Sequence, residues 1–259
     1  MMYTVTALWR RELIKFLRDK SRVGGAVLQP LVVWLLLGFG FRDTFQLPSS
    51  TGTDIPYLEF LFPGMLALVA LFTSIFSTIS IVEERKSGFL QAALAAPVSR
   101  SVLVLGATLG GTTLAVGQSG LFLILLPFLG PPPTVAGLAL MLFVLALIGL
   151  AFTALGVTVA WKIRTTRGFH AVMNLFLIPL WVLSGAFFPP TGAPPLLQWI
   201  VRLNPFSYGV DALRTAMYWP GPAPEVATSL AVSLPVTIVF TGLMFALAVR
   251  SVATPIAPE

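Results

Sequence analysis

Few residues of this chain are of a type, and at a spacing, that supports covalent chemistry. His170 is the single imidazole among 259 residues, and there is no cysteine. One imidazole gives little basis for a histidine zinc site or a Ser/His/Asp triad. The lack of thiols excludes disulfides, thiolate metal sites and cysteine nucleophiles. No HExxH, Asp-rich box or Gly-Xaa-Gly-Asp sequence occurs. A phosphate-cradling loop of the form GxxxxGK[ST] needs a Gly-Lys pair, and the chain contains none. No catalytic, cofactor-binding or metal-ligating residue is therefore assigned, and ATP hydrolysis by this chain alone is not expected. The charges that stand out are a carboxylate and a guanidinium three apart, Asp211 and Arg214, and the run Glu83-Glu84-Arg85-Lys86.

The elements that must position these charges follow from where charge is missing. The chain is 56% hydrophobic and 10% charged, with a mean hydropathy of +0.90. Soluble domains carry about 25% charged residues, so a water-soluble fold is close to excluded. A spanning helix needs about 20 mostly apolar residues. Charge-free runs predict six spans, near 23–41, 60–82, 102–129, 134–160, 171–189 and 226–249. Gly130-Pro131-Pro132-Pro133 separates the third from the fourth, because three prolines cannot continue a helix. The segments before the first span, after the second, after the fourth and after the sixth hold 13 of the 16 Lys and Arg residues. By the positive-inside rule both termini face the cytoplasm. The net charge of +6 is thus a topology signal, and nucleic acid is not an expected partner. His170 falls at the inner edge of the fifth span beside Lys162, Arg164 and Arg167, as an interfacial residue.

Three segments outside the spans carry information. Residues 1–22 read as an amphipathic helix lying in the headgroup plane. Val5, Trp9, Leu13, Phe16 and Leu17 share one face, and Arg10, Arg11, Lys15, Arg18 and Arg22 lie mainly on the other. The loop 83–101 opens with the charged run and Ser87-Gly88. A short helix follows, with Phe89, Leu90, Ala93 and Leu94 on one face, and Pro97 stops it. An apolar ridge beside charges suits insertion into a partner's groove. Residues 190–225 crowd Gly, Pro and aromatic side chains, with short helices expected near 195–203 and 207–218 around Asn204-Pro205. Tyr208, Asp211 and Arg214 fall in the second piece, which is expected to dip into the outer leaflet. The spanning body covers 23–250, and 251–259 reads as a tail. Gly106 and Gly110 stand at GxxxG spacing, which brings helices close in some membrane proteins.

The order of these features resembles the type 2 ATP-binding-cassette (ABC) transporter permeases, in particular single-domain bacterial drug and polyketide exporters. The resemblance rests on the amphipathic start, on FLFPGMLALVALFTSIFSTISIVEERKSGFLQAALAAPVSR, on the SGAFFPP turn and on LNPFSYGVDALR. It covers nearly the whole chain. It implies an all-α, six-span permease that dimerises as a homodimer and docks one ABC ATPase subunit per copy, that partner holding ATP and magnesium. Residues matching the family's coupling helix lie within Glu83–Arg100, and 3–22 corresponds to its connecting helix. The implied activity is export of an amphiphilic or hydrophobic compound (a drug, a lipid or a lipid-linked molecule) across a bacterial inner membrane by alternating access. A polysaccharide or glycolipid exporter is the alternative, and a lipid-modifying membrane enzyme a more distant one.

Overall fold

A computed structural model describes residues 2–18, 20–41, 55–88, 99–129, 134–190, 193–221 and 227–253, and all regular structure among them is helical. The helices are α1 (Met2–Arg18), α2 (Lys20–Gly40), α3 (Tyr57–Ser77), α4 (Ile79–Lys86), α5 (Arg100–Phe122), α6 (Val135–Lys162), α7 (Thr166–Trp181), α8 (Pro195–Leu203), α9 (Pro205–Met217) and α10 (Leu230–Ala253). A 3-10 turn at Leu123–Phe128 extends α5, and a wide turn at Val182–Ala186 ends α7. Five stretches are long and apolar enough to cross a membrane: Tyr57–Lys86, Arg100–Phe128, Val135–Lys162, Thr166–Ala186 and Leu230–Ala253. A further apolar stretch, Pro30–Gly40, forms the second half of α2. The protein is an all-α polytopic membrane protein.

α3 and α4 form the centre. Almost every side chain from Glu59 to Val82 is buried, against α2, α5, α6 and α9. At 30 residues and about 1.5 Å per residue, this pair is longer than the roughly 30 Å hydrocarbon layer. Its two ends therefore reach opposite boundaries. One difference from the sequence expectation lies here. The second span does not give way to a loop at residue 83. It stays helical through Lys86, and Gly88, at φ +78°, turns the chain out in the left-handed conformation that glycine tolerates best. A second difference concerns the N-terminal helix, which ends at Arg18, so that residues 20–22 belong to α2.

α1 packs along α5 through the glycine pair. A Cβ at Gly106 would stand 2.7 Å from Leu8 Cβ, and one at Gly110 would stand 2.8 Å from Glu12 Cβ. Residues 8 and 12 are one turn apart, so two successive side chains of α1 sit over two successive gaps in α5. Trp9 Nε1 donates to Thr113 Oγ1 at 2.9 Å along the same contact. Phe16 is buried, whereas Leu17, expected on the apolar face, is exposed. Gly106→Leu should displace α1 and lower stability by about 1–3 kcal/mol, the usual effect of overpacking. The check is the thermal midpoint in detergent. Gly117→Ala, whose Cβ meets nothing within 4 Å, should leave that midpoint unchanged or raised.

Candidate functional site

The charges singled out in the sequence gather at the two ends of the α3–α4 pair. At the α4 end, Arg11 Nη2 lies 2.9 Å from Glu12 Oε1 and 2.8 Å from Glu84 Oε1. Lys15 Nζ lies 3.4 Å from Glu83 and 3.8 Å from Glu84. Glu12 is buried, and its second oxygen accepts from Ser80 Oγ at 3.2 Å. Burial works against the Arg11 charge, but the hydrogen bond to Glu12 and the field of Glu84 hold its pKa above the usual value. Arg11 and Lys15 thus tie α1 to α4. Arg10 and Arg18 remain exposed.

Arg85 turns the other way. Its guanidinium donates to the carbonyls of Ala160, Trp161 and Ile163 at 3.2, 2.8 and 3.2 Å, the last acceptors of α6. A helix leaves its final carbonyls without intrahelical donors, and a cation there also complements the helix dipole. Arg100 does the same for α10, donating to Val252 and Ala253 at 3.1 and 2.6 Å. Of the expected coupling residues, Glu83, Glu84, Arg85 and Gly88 therefore end α4 and link it to α1 and α6. Phe89, Leu90 and Leu94 lie outside the described residues.

At the α3 end, α7 breaks. Gly185 sits at φ +75°, and the helix stops with its last carbonyls facing α8 and α9. Asn204 Nδ2 donates to Leu180 and Leu183 carbonyls at 2.7 and 3.0 Å. Its Oδ1 accepts from Phe206 N at 3.0 Å, which caps α9. Pro205 follows at the first position of α9, where its missing N–H costs nothing. Tyr208 OH donates to Arg202 O at 2.9 Å and fixes α8 against α9. Arg214 is 1% exposed. Its Nη1 lies 3.1 Å from Asp211 Oδ1, its Nη2 donates to Gly185 O at 3.2 Å, and its Cζ stands 4.3 Å from the Phe60 ring centre. Asp211 Oδ2 accepts from Thr228 N at 3.1 Å. One buried ion pair thus fastens α9 to α3, to the broken end of α7 and to the segment leading into α10.

Residues 3–218 match the ABC-2 type transporter family. The chain belongs to that family. Among its relatives, a transport permease ycf38 of Cyanophora paradoxa is 28% identical over 210 residues, covering 80% of this chain and 71% of the relative. Nodulation protein J of Sinorhizobium fredii (strain NBRC 101917 / NGR234) is 28% identical over 224 residues, covering 82% and 80%. Nodulation protein J of Rhizobium meliloti (strain 1021) is 29% identical over 221 residues, covering 82% and 80%.

Sequence reasoning missed several residues of this ABC-2 permease. Glu12 sits on a charged helix and looked solvated; the signal was the GxxxG pair that seats it. Arg100 opens a span and carried no sign that it caps another helix 150 residues away. Glu59, read only as a carboxylate at the outer edge of the second span, accepts from Tyr218 OH at 2.6 Å, and Thr228 was not singled out. The Asp211–Arg214 contact yields a test. Breaking a buried pair from one side costs about 3–5 kcal/mol, because it strands the other charge. Asp211→Ala and Arg214→Ala should each destabilise in that range, and the double substitution should cost less than their sum. A double-mutant cycle on the detergent thermal midpoint reads the coupling, and strictly additive effects would show that the two side chains do not act as a pair.

Proposed function

We propose that this chain is the membrane subunit of an ATP-driven exporter that moves an amphiphilic or hydrophobic compound out of the cytoplasm or inner leaflet. In this reading it works as a homodimer in a bacterial cytoplasmic membrane, with a separate ABC ATPase bound to each copy. That partner holds ATP and magnesium and supplies the hydrolysis; the permease supplies two states with different access. ATP can drive the change only through a difference in its affinity for those states.

The observation that carries the reading is the clamp around α4. Glu83 and Glu84 sit at the tip of the longest apolar helix pair, immediately before residues 88–98. They are tied to α1 by Arg11 and Lys15, while Arg85 ties the same turn to the end of α6. A displacement of the segment after Gly88 would therefore move α1, α4 and α6 together. Glu84 and Arg85 act from behind a docking surface in this arrangement, and Phe89, Leu90 and Leu94 remain the proposed contacts with the ATPase. The orientation has support in the distribution of cations. Lys86 ends α4, Lys162, Arg164 and Arg167 flank the carbonyls that Arg85 binds, and Arg100 caps Val252, which lies beside Glu84, as expected of a cytoplasmic face.

Two experiments test this reading. In proteoliposomes with the cognate ATPase, Glu84→Arg should cut ATP-driven efflux at least about fivefold, the low end of coupling energies between sites. The exchange Arg11→Glu with Glu84→Arg should restore a large part of it. Efflux unchanged by Glu84→Arg would remove the clamp from the coupling path. For orientation, Ser87→Cys should resist an impermeant thiol reagent added to intact cells and react after lysis. Labelling from outside would reverse the assigned topology.

A further inference from the structure

We propose that the seam between α3 and α7 admits the transported compound at the α4 end and selects an amphiphile with an anionic headgroup. The proposal rests on the export reading above. From Glu59 to Val82 only Phe72 and Phe76 reach the surface. Their rings lie 5.5 Å apart, and Phe76 lies 5.1 Å from the ring of His170 on α7. On α7, Arg167, His170 and Asn174 recur at spacings of three and four, so they project from one side of the helix. All three are exposed. Between Glu59 and Val82 the half-buried rings of Phe72 and Phe76 therefore lie beside a polar stripe of the neighbouring helix.

Lipid tails are a poor partner for that stripe. α7 belongs to a stretch long and apolar enough to span the membrane, and His170 and Asn174 stand one and two turns inside it. Polar and ionisable groups within spans are costly against hydrocarbon, and they face a bundle interior or a watery path instead. Farther along, the same helix exposes Leu175, Phe176 and Ile178. The polar part is thus confined to the end where a compound would enter.

The sign of the headgroup follows from the charges at the rim. Lys162 and Arg164, both exposed, flank the turn into α7 and join Arg167. Arg85, behind them, is engaged with the α6 carbonyls. The carboxylates at this end, Glu12, Glu83 and Glu84, are held by Arg11 and Lys15 on the other side of α4. Among the described residues no carboxylate forms an ion pair with Lys162, Arg164 or Arg167. A cationic rim thus leads, over about 10 Å of helix, to an imidazole, two phenyl rings and a carboxamide. An acidic head would rest on Arg167 with its apolar body along Phe76 and Phe72. A cationic head would be repelled by the same rim.

The test uses the purified full-length chain in phosphatidylcholine nanodiscs, with dansylaminoundecanoate as the anionic probe and its methyl ester as the matched neutral probe. Arg167 can donate a charge-assisted hydrogen bond to the carboxylate that the ester cannot match, so the wild type should bind the carboxylate at least about tenfold more tightly than the ester. Arg167→Gln should bring the two affinities within about threefold, Arg167→Lys should keep part of the preference, and Phe76→Ala should weaken both probes alike. Equal affinities in the wild type, or an Arg167→Gln change that weakens both probes equally, overturns the seam as an anion-selecting site. The measurement needs no ATPase. Loss of the preference with ATP-driven efflux intact would overturn the seam alone, while failure of efflux with the preference intact would overturn the export reading and leave the seam as a binding site.

Discussion

A helix that stops inside a membrane must give its last carbonyls to something other than water, and much of this fold follows from how that is done at the end of α7. Each unsatisfied backbone group in hydrocarbon costs several kcal/mol, so broken helices occur only where protein supplies the missing donors. Here the donors come from α9. Asn204 serves Leu180 and Leu183, and Arg214 serves Gly185. Arg214 can be buried for this task only because Asp211 on the next turn neutralises it and Phe60 presents a ring face to it. Asn204 and the ion pair of α9 are thus the complement of the break in α7.

The opposite end solves the same problem with two arginines. α6 and α10 end within reach of Arg85 and Arg100, which satisfy their last carbonyls from neighbouring helices. These arginines lock together helices far apart in the chain. The acids at this end are used differently, to hold α1 against α4 through Arg11 and Lys15. Since Leu8 and Glu12 also fill the gaps at Gly106 and Gly110, α1 is bound on two sides, by close packing on α5 and by charge on α4. An interfacial helix held only by lipid would need neither.

How much of this was legible depended on the range of each interaction. Spans are set by local composition, so five of the six charge-free runs fall on the five described stretches long enough to cross, while the first falls on α2, whose apolar part is the shorter Pro30–Gly40. The short pieces at α8 and α9 followed from Asn204-Pro205. Asp211 and Arg214 lie on one helix at i, i+3, and their contact could be read from that spacing. What could not be read was anything that crosses between elements. Nothing near Arg85 or Arg100 in sequence reveals that they cap α6 and α10. Glu12 was hidden because a carboxylate among arginines looks solvated unless the glycines that receive it are known to face it. The end of the second span was placed too early because charge at Glu83 was taken as the start of a loop. The helix continues there since α1 supplies counter-charges that the sequence keeps 70 residues away.

The two ends are joined by one element, and its irregularity lies between them. At Ser77-Thr78 the α3 helix tightens before α4 resumes. The hydroxyls of Ser74, Ser77, Thr78 and Ser80 each bond back to a carbonyl three or four residues earlier, a habit that bends helices. The neighbours leave room for the bend. A Cβ at Gly111 would come within 2.5 Å of Ser77 Oγ, and one at Gly156 within 2.5 Å of Thr78 Oγ1. A side chain at either glycine would therefore have to displace the bent turn. The clamp ties α1 and α6 to α4, the ion pair ties α9 to α3 and to the end of α7, and α6 packs along both groups. The glycines of α5 and α6 leave the room in which the bend between the two ends sits.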